Sequence, residues 1–399
     1  MNRANQYLIY IAYAGFIAVA ISGGALNVAW LYIQNDFALR LSDIGVLLTL
    51  PAVMRLFVSF YSGRLVKWLG VGKFLLIGSV LAIMGMIGFV ITPSWGLLII
   101  AAMVMSLGSS FLITGLNIFV ASSYASSRVN WLHASFGLGA TAGPILITVI
   151  VFDLGLSWRI GYAVMAMLIT IFGILVMLTR RNWRLPTSEL KEKVKPNQTR
   201  GVFQSPVVWL SIAIMALSAG IESTTGQLSN SLFVDGRGID PRTVATWISL
   251  YWLSFTAGRF VTGIVIDRVS HNLFLRVNMF FVIVGASLIW LNLSPSLSFV
   301  GLLIMGFAMG PVAPTIMADT PRRVGVDRAP NIIGYQGTGA GIGIGFLPSL
   351  AGVLGDIISL EIIGLFLIVV TMSMFITHEL LNYQENLEMR YELEQPSTD

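Results

Sequence analysis

Runs of about 20 apolar residues, separated by short polar breaks, recur along the chain. Twelve such stretches can be marked. They fall at roughly 7–34, 42–62, 73–92, 95–124, 131–152 and 158–180, then 206–234, 243–266, 271–293, 296–319, 329–354 and 358–379. A helix needs about 20 mostly apolar residues to cross the hydrocarbon core of a bilayer. The pattern therefore predicts an all-α integral membrane protein with twelve transmembrane helices. The first stretch is too long for a signal-peptide core and no small-residue cleavage site ends it, so it is expected to remain as a span.

The one long polar stretch, residues 181–205, carries Pro186 and Pro196 and is dense in charge. It reads as a cytoplasmic linker between an N-terminal six-helix bundle (1–180) and a C-terminal one (206–379). Residues 380–399 hold Glu385, Glu388, Glu392, Glu394 and Asp399 and are expected to form a solvated, partly helical cytoplasmic tail.

Composition narrows the function. The chain has 399 residues, 56% hydrophobic and 11% charged, with mean hydropathy +0.82. Soluble domains carry about 25% charged residues. So few charges cannot cover a water-soluble surface of this size, which argues against a soluble enzyme, a disordered chain or a nucleic-acid binder. The net charge of +5 comes from loops. With the N-terminus inside, the inner loops hold sixteen Lys and Arg and the outer loops four, namely Arg40, Arg159, Arg237 and Arg242. That asymmetry predicts a cell-membrane protein with both termini in the cytoplasm. There is no Cys, and the three His are scattered, so no metal or cofactor is expected. No phosphate loop, H-E-x-x-H or nucleophile elbow is present. The energy for any transport must then come from an ion gradient or from the solute gradient itself.

Landmarks repeat across the linker. Gly63, Gly70 and Lys73 open the loop after the second span. Gly263, Asp267 and Arg268 end the eighth span, with Gly263 lying 200 positions after Gly63. Gly143-Pro144 in the fifth span has a counterpart in Pro348 of the eleventh, 204 positions after Pro144, and Gly137 and Gly139 fall opposite Gly341 and Gly343. On these residues the sequence resembles the major facilitator superfamily, whose loop signature is G-x-x-x-D-R-x-G-x-R/K-R/K. This chain reads Gly63-Arg64-Leu65-Val66-Lys67-Trp68-Leu69-Gly70-Val71-Gly72-Lys73. Lys67 stands where the signature has Asp, and the second copy at Gly263–Arg268 keeps the acid and the base. The resemblance implies two pseudo-symmetric bundles around a central cavity, alternating access, a gating role for the signature residues, and a monomer. Within the superfamily, three stretches are similar to the fucose–proton symporter and glucose-transporter-like family: Asn130-Trp131-Leu132-His133 with Gly137, Gly139 and Gly143-Pro144; Gly220-Ile221-Glu222 with Gly226; and Gly258-Arg259 with Gly263. That likeness implies a sugar substrate and proton symport.

Arg55, Glu222 and Arg259 are the ionisable side chains that fall well inside spans. A charge there costs roughly 2.5–3.5 kcal/mol even on the lenient insertion scale, so each should face a cavity or a partner. Glu222 sits in a polar stripe with Gln227 and Asn230. Two readings stand: a proton-coupling or hydroxyl-binding acid, or a carboxylate fixed by Arg259 or by backbone. Arg55 and Arg259 invite comparison with the paired arginines of nitrate porters, though Arg259 can equally be structural. Asn27 and Asn117 suit sugar hydroxyls or neighbouring backbone. Tyr335 and Gln336 are similar, Trp30 and Trp252 could stack on a sugar ring or simply pack, and His133 could relay protons or cap a helix end. The reading is a non-enzymatic secondary transporter of a small polar solute, with protons and the bilayer as its other partners. Its rivals are a small-anion porter built on Arg55 and Arg259, and a proton-coupled exporter of lipophilic compounds.

Overall fold

The computed structural model describes residues 3–124, 126–185, 205–324 and 329–394. Among them the chain is helical, with no strand. The N-terminal half contains α1 (Arg3–Asp36), α2 (Ile44–Leu69), α3 (Val71–Ile91), α4 (Trp95–Ser123), α5 (Ser126–Thr148) and α6 (Trp158–Thr179). The C-terminal half contains α7 (Pro206–Ser231), α8 (Pro241–Val265), α9 (His271–Leu291), α10 (Pro295–Met309), α11 (Val312–Val324), α12 (Ala329–Ile357) and α13 (Ile362–Glu394). The tenth expected span is α10 and α11 together, interrupted at Gly310-Pro311, because Pro311 lacks the N–H that would continue the ladder. Ten segments among the described residues are long and apolar enough to cross a membrane. The remaining two, α2 and α8, carry Arg55 and Arg259 and are fixed by packing.

Local chemistry sets the helix starts. Pro206, Pro241 and Pro295 each occupy a first helical turn, where the missing N–H costs nothing. Asp240, Ser270 and Ser294 accept the orphan N–H groups of Thr243, Leu273 and Leu297, as N-caps do. Gly70 joins α2 to α3 at φ +74°, a left-handed conformation that favours glycine over any residue with a Cβ. This is one position where the loop signature has a backbone reason.

The halves repeat each other in packing. Helix α1 lies on α5, α3 on α4 and α6, and α2 on α4. In the second half α7 lies on α12, α9 on α10 and α13, and α8 on α10. Small residues make the tightest crossings. A Cβ on Gly139 or Gly143 of α5 would run into the backbone of α1 at Ile17 and Ile21, and one on Gly339 or Gly343 of α12 would run into α7 at Ile212 and Ala216. Without a hydrophobic force between helices in lipid, such close approach supplies the association.

Between the halves, α2 meets α12, α5 meets α8, and α1 meets α7. Two polar ties cross this seam at the end of the bundle farthest from the start of α1. The Asp356 carboxylate accepts from the N–H groups of Leu41 (3.1 Å) and Ser42 (2.9 Å), and Arg242 pairs with Asp153 at 2.5 Å. At the other end, Asp319 gathers His271 (2.5 Å), Arg322 (3.3 Å) and Arg323 (3.2 Å), and Glu385 pairs with both arginines. No helix ends near residue 380: α13 continues to Glu394, and Glu385 is buried rather than solvated. The buried guanidinium of Arg323 and the half-exposed one of Arg322 hold it there, which the acidic run in the sequence did not reveal. Most of the 181–205 stretch, and the last five residues, lie outside the described residues.

Candidate functional site

A cavity of about 220 Å³ sits midway along the bundle, between the two halves. Its N-terminal wall is Gly23 and Gly24 of α1, Pro51 and Arg55 of α2, Ser106, Ser109 and Ser110 of α4, and Ala140 of α5. Its C-terminal wall is Glu222, Ser223 and Gln227 of α7, Trp252 of α8 and Ile344 of α12. Pockets for drug-sized ligands run about 300–1,000 Å³, so this space fits one smaller solute.

Of the sequence candidates, Arg55, Glu222, Gln227 and Trp252 line this one cavity. Arg55 is aimed by α4: its Nε donates to Ser106 Oγ at 3.2 Å, and that hydroxyl donates to the Pro51 carbonyl at 2.8 Å. Ser110 in turn donates to the Ser106 carbonyl at 2.8 Å. Glu222 is half-buried on the opposite wall. None of the ion pairs among the described residues involves Arg55, Glu222 or Arg259.

Asn27 and Asn230 lie fully buried at the α1–α7 seam beside the cavity. Asn230 donates to the carbonyls of Asn27 and Val28, both at 3.4 Å. Neither polar atom of the Asn27 side chain has a partner, and Asn230 Oδ1, Gln227 Oε1, Trp252 Nε1, Thr224 Oγ1 and Thr225 Oγ1 are likewise unmet. Each buried polar atom without a partner costs about 1–3 kcal/mol, so this cluster is an expensive arrangement that a hydrogen-bonding guest or water would relieve.

The other candidates are placed elsewhere. Arg259 donates to the Gly310 carbonyl at 2.9 Å and lies over the Phe255 ring, 4.4 Å from its centroid. It therefore serves the break between α10 and α11, and it does not line the cavity with Arg55. Trp30 is fully buried beside Trp95, centroids 6.2 Å apart. Gln336 bonds Thr320 at 3.0 Å, tying α12 to α11, and Tyr335 packs by Val208 and Ile332. Asn117 is half-buried on α4 away from the cavity wall, and His133 is exposed, edge-on to Phe16. In the loop signature, Lys73 and Arg268 are exposed; the side chains of Gly63, Lys67, Gly263 and Asp267 lie outside the described set.

Three serines of α4 were missed. Ser106, Ser109 and Ser110 line the cavity beside Ser223 of the Glu222 polar stripe, and only the Ser-rich run 106–110 in an apolar span could have signalled them.

Two bundles repeated in packing, closed over a polar cavity at mid-depth, define a carrier of small solutes. The sequence profile of the Major Facilitator Superfamily matches residues 12–348, and the chain belongs to that family. No curated protein sequence matches significantly. Among solved structures, a bacterial homolog of the human lysosomal transporter Spinster, inward-facing and occupied, is similar at 12% identity and TM-score 0.75, covering 98% of both chains. The nucleoside transporter NupG is similar at 12% identity and TM-score 0.77, over 93% of this chain and 98% of that one. The E. coli fucose:proton symporter FucP is similar at 15% identity and TM-score 0.65, over 95% and 99%. These likenesses establish the fold. The chain is a multi-pass membrane protein and a transporter of small solutes.

Proposed function

We propose that this carrier moves a sugar or sugar-like solute by proton symport, with Glu222 as the proton site. The single observation that carries the reading is Glu222 on the cavity wall with no ion-pair partner among the described residues. A carboxylate left unpaired in a membrane interior is costly, and protonation removes that cost as the loaded carrier closes. Gln227, Trp252 and the unmet amides of Asn27 and Asn230 supply hydroxyl partners and a ring face. The loop charges support a cell-membrane carrier with both termini cytoplasmic, and the family resemblance supports a monomer. Its two bundles rock about the cavity.

An anion porter built on an Arg55–Arg259 clamp has less support, because Arg259 is committed to the Gly310 carbonyl. The small cavity speaks against an exporter of bulky lipophiles.

The test uses purified protein in liposomes with a pH dye trapped inside. A panel of sugars, organic acids and small anions is added outside. Proton entry with a sugar or sugar derivative, lost in Glu222→Gln while solute exchange persists, is the expected result. Coupling that survives Glu222→Gln overturns the assignment.

A further inference from the structure

The mid-depth cavity holds one cationic side chain, Arg55, and one carboxylate, Glu222, on opposite walls. Neither forms an ion pair among the described residues. The Arg55 guanidinium uses one hydrogen bond, Nε to Ser106 Oγ, so its fork of Nη donors is uncommitted. Arginine stays charged under all ordinary conditions, and that fork matches a carboxylate bidentately. Ser109 and Ser110 lie on the same wall, and their hydroxyls add short-range donors.

The two charges have a consequence for loading, which rests on the proton-site reading of Glu222. With Glu222 ionised, the empty cavity holds one positive and one negative wall. Arg259, on α8 behind this wall, also feels the charge of Glu222, so when Glu222 takes its proton both arginines are left in the membrane interior without a counter-charge, which is costly. A neutral sugar would do nothing to offset this. A solute bearing one carboxylate would restore the balance, and it would arrive with its own reason to bind Arg55.

We propose that the substrate is an acidic sugar, a polyhydroxylated monocarboxylate. Its carboxylate sits on Arg55 against the serine wall, and its hydroxyls meet Gln227, Trp252 Nε1 and the Asn27 cluster. Solute and proton are then coupled by charge: the solute's carboxylate replaces the negative charge that Glu222 loses. One anion and one proton move together, and no net charge crosses the membrane.

D-Glucuronate and D-glucose share a ring and differ at C6, where one has a carboxylate. Uptake of each radiolabelled compound is measured in proteoliposomes, and each is also tested for raising the melting temperature of the detergent-solubilised protein. The wild type should take up glucuronate at least tenfold faster than glucose and be stabilised by it alone. Arg55→Gln should abolish the preference, and Arg55→Lys should restore part of it. Glucuronate uptake at a fixed proton gradient should not respond to a potassium–valinomycin potential. Equal handling of both compounds, a preference untouched in folded Arg55→Gln, uptake that rises with an inside-negative potential, or neither compound binding would each overturn the proposal. The comparison of the two compounds in wild type stands even where an Arg55 variant fails to fold. If glucose enters with protons through a Glu222-dependent step, the acidic-sugar proposal fails while the symport reading survives. If glucuronate is preferred through Arg55 but coupling ignores Glu222, the symport assignment is the part that fails.

Discussion

The Asp356 carboxylate, at the end of α12, accepts the backbone N–H of Ser42 at 2.9 Å, in the turn that leads into α2. It accepts the neighbouring N–H of Leu41 as well. One side chain of the second half thus caps a helical start in the first. The crossing beneath it is equally close, since Gly45 of α2 faces Ser349 of α12 and Gly345 of α12 faces Thr49 of α2. Any state that opens the cavity toward this end must break both bonds.

Hydrogen bonds to a charged group contribute about 1.5–3 kcal/mol each. Asp356→Ala should therefore shift the ratio of the two access states about tenfold or more toward opening at this end. The chain has no cysteine, so Ser109→Cys on the cavity wall gives a clean reporter. Labelling by an impermeant maleimide added on the face of the membrane opposite the linker should rise. Unchanged labelling would show that Asp356 does not help to close this end.

Asn27 tests whether the buried amides serve a ligand or the fold. Both its polar atoms are unmet, so Asn27→Ala should leave the melting temperature unchanged or raised while uptake drops tenfold or more. Sites that trade stability for function behave this way. A large loss of stability would make the side chain structural.

The α1–α5 and α7–α12 crossings leave no room for a methyl group. Gly143→Ala and Gly343→Ala should each destabilise by about 1–3 kcal/mol, the usual cost of overpacking, seen as a lower melting temperature in detergent. Gly96, whose Cβ would meet nothing within 4 Å, is the control, and Gly96→Ala should be neutral.

Arg237 is buried yet fully used. It reaches Glu361 with Nε (2.8 Å) and Nη2 (2.6 Å), Ser298 Oγ at 2.8 Å and the Ile289 carbonyl at 2.6 Å. Its side chain is 6% exposed against 40% for Glu361, so solvent screens one partner. Arg237→Ala should cost about 3 kcal/mol. Arg237→Lys should recover little, because an ammonium cannot reproduce the two-pronged contact. Full recovery by Lys in a thermal melt would count against the fork geometry.

The membrane-spanning helices and the twofold repeat were readable in the sequence. Length and hydropathy fix whether a segment can cross a bilayer, because lipid leaves no alternative to an internally bonded helix. The Gly143 and Gly343 landmarks were readable for a similar reason, since close helix approach demands the absence of a side chain. The cost of a charge in lipid also marked Arg55, Glu222 and Arg259 as positions that need a cavity or a partner. Which of the two each one has was decided by tertiary structure. Arg55 and Glu222 are 167 positions apart in the sequence, and only packing brings them to one cavity. Arg259 has the same residue type and a similar setting, yet the break at Gly310 supplies it with a carbonyl. Arg237 read as a loop charge and Glu385 as part of a solvated tail, while in the fold each is buried against opposite charge. A sequence carries the price of burying a group; the partner that meets it lies elsewhere in the chain and is chosen by how the helices pack.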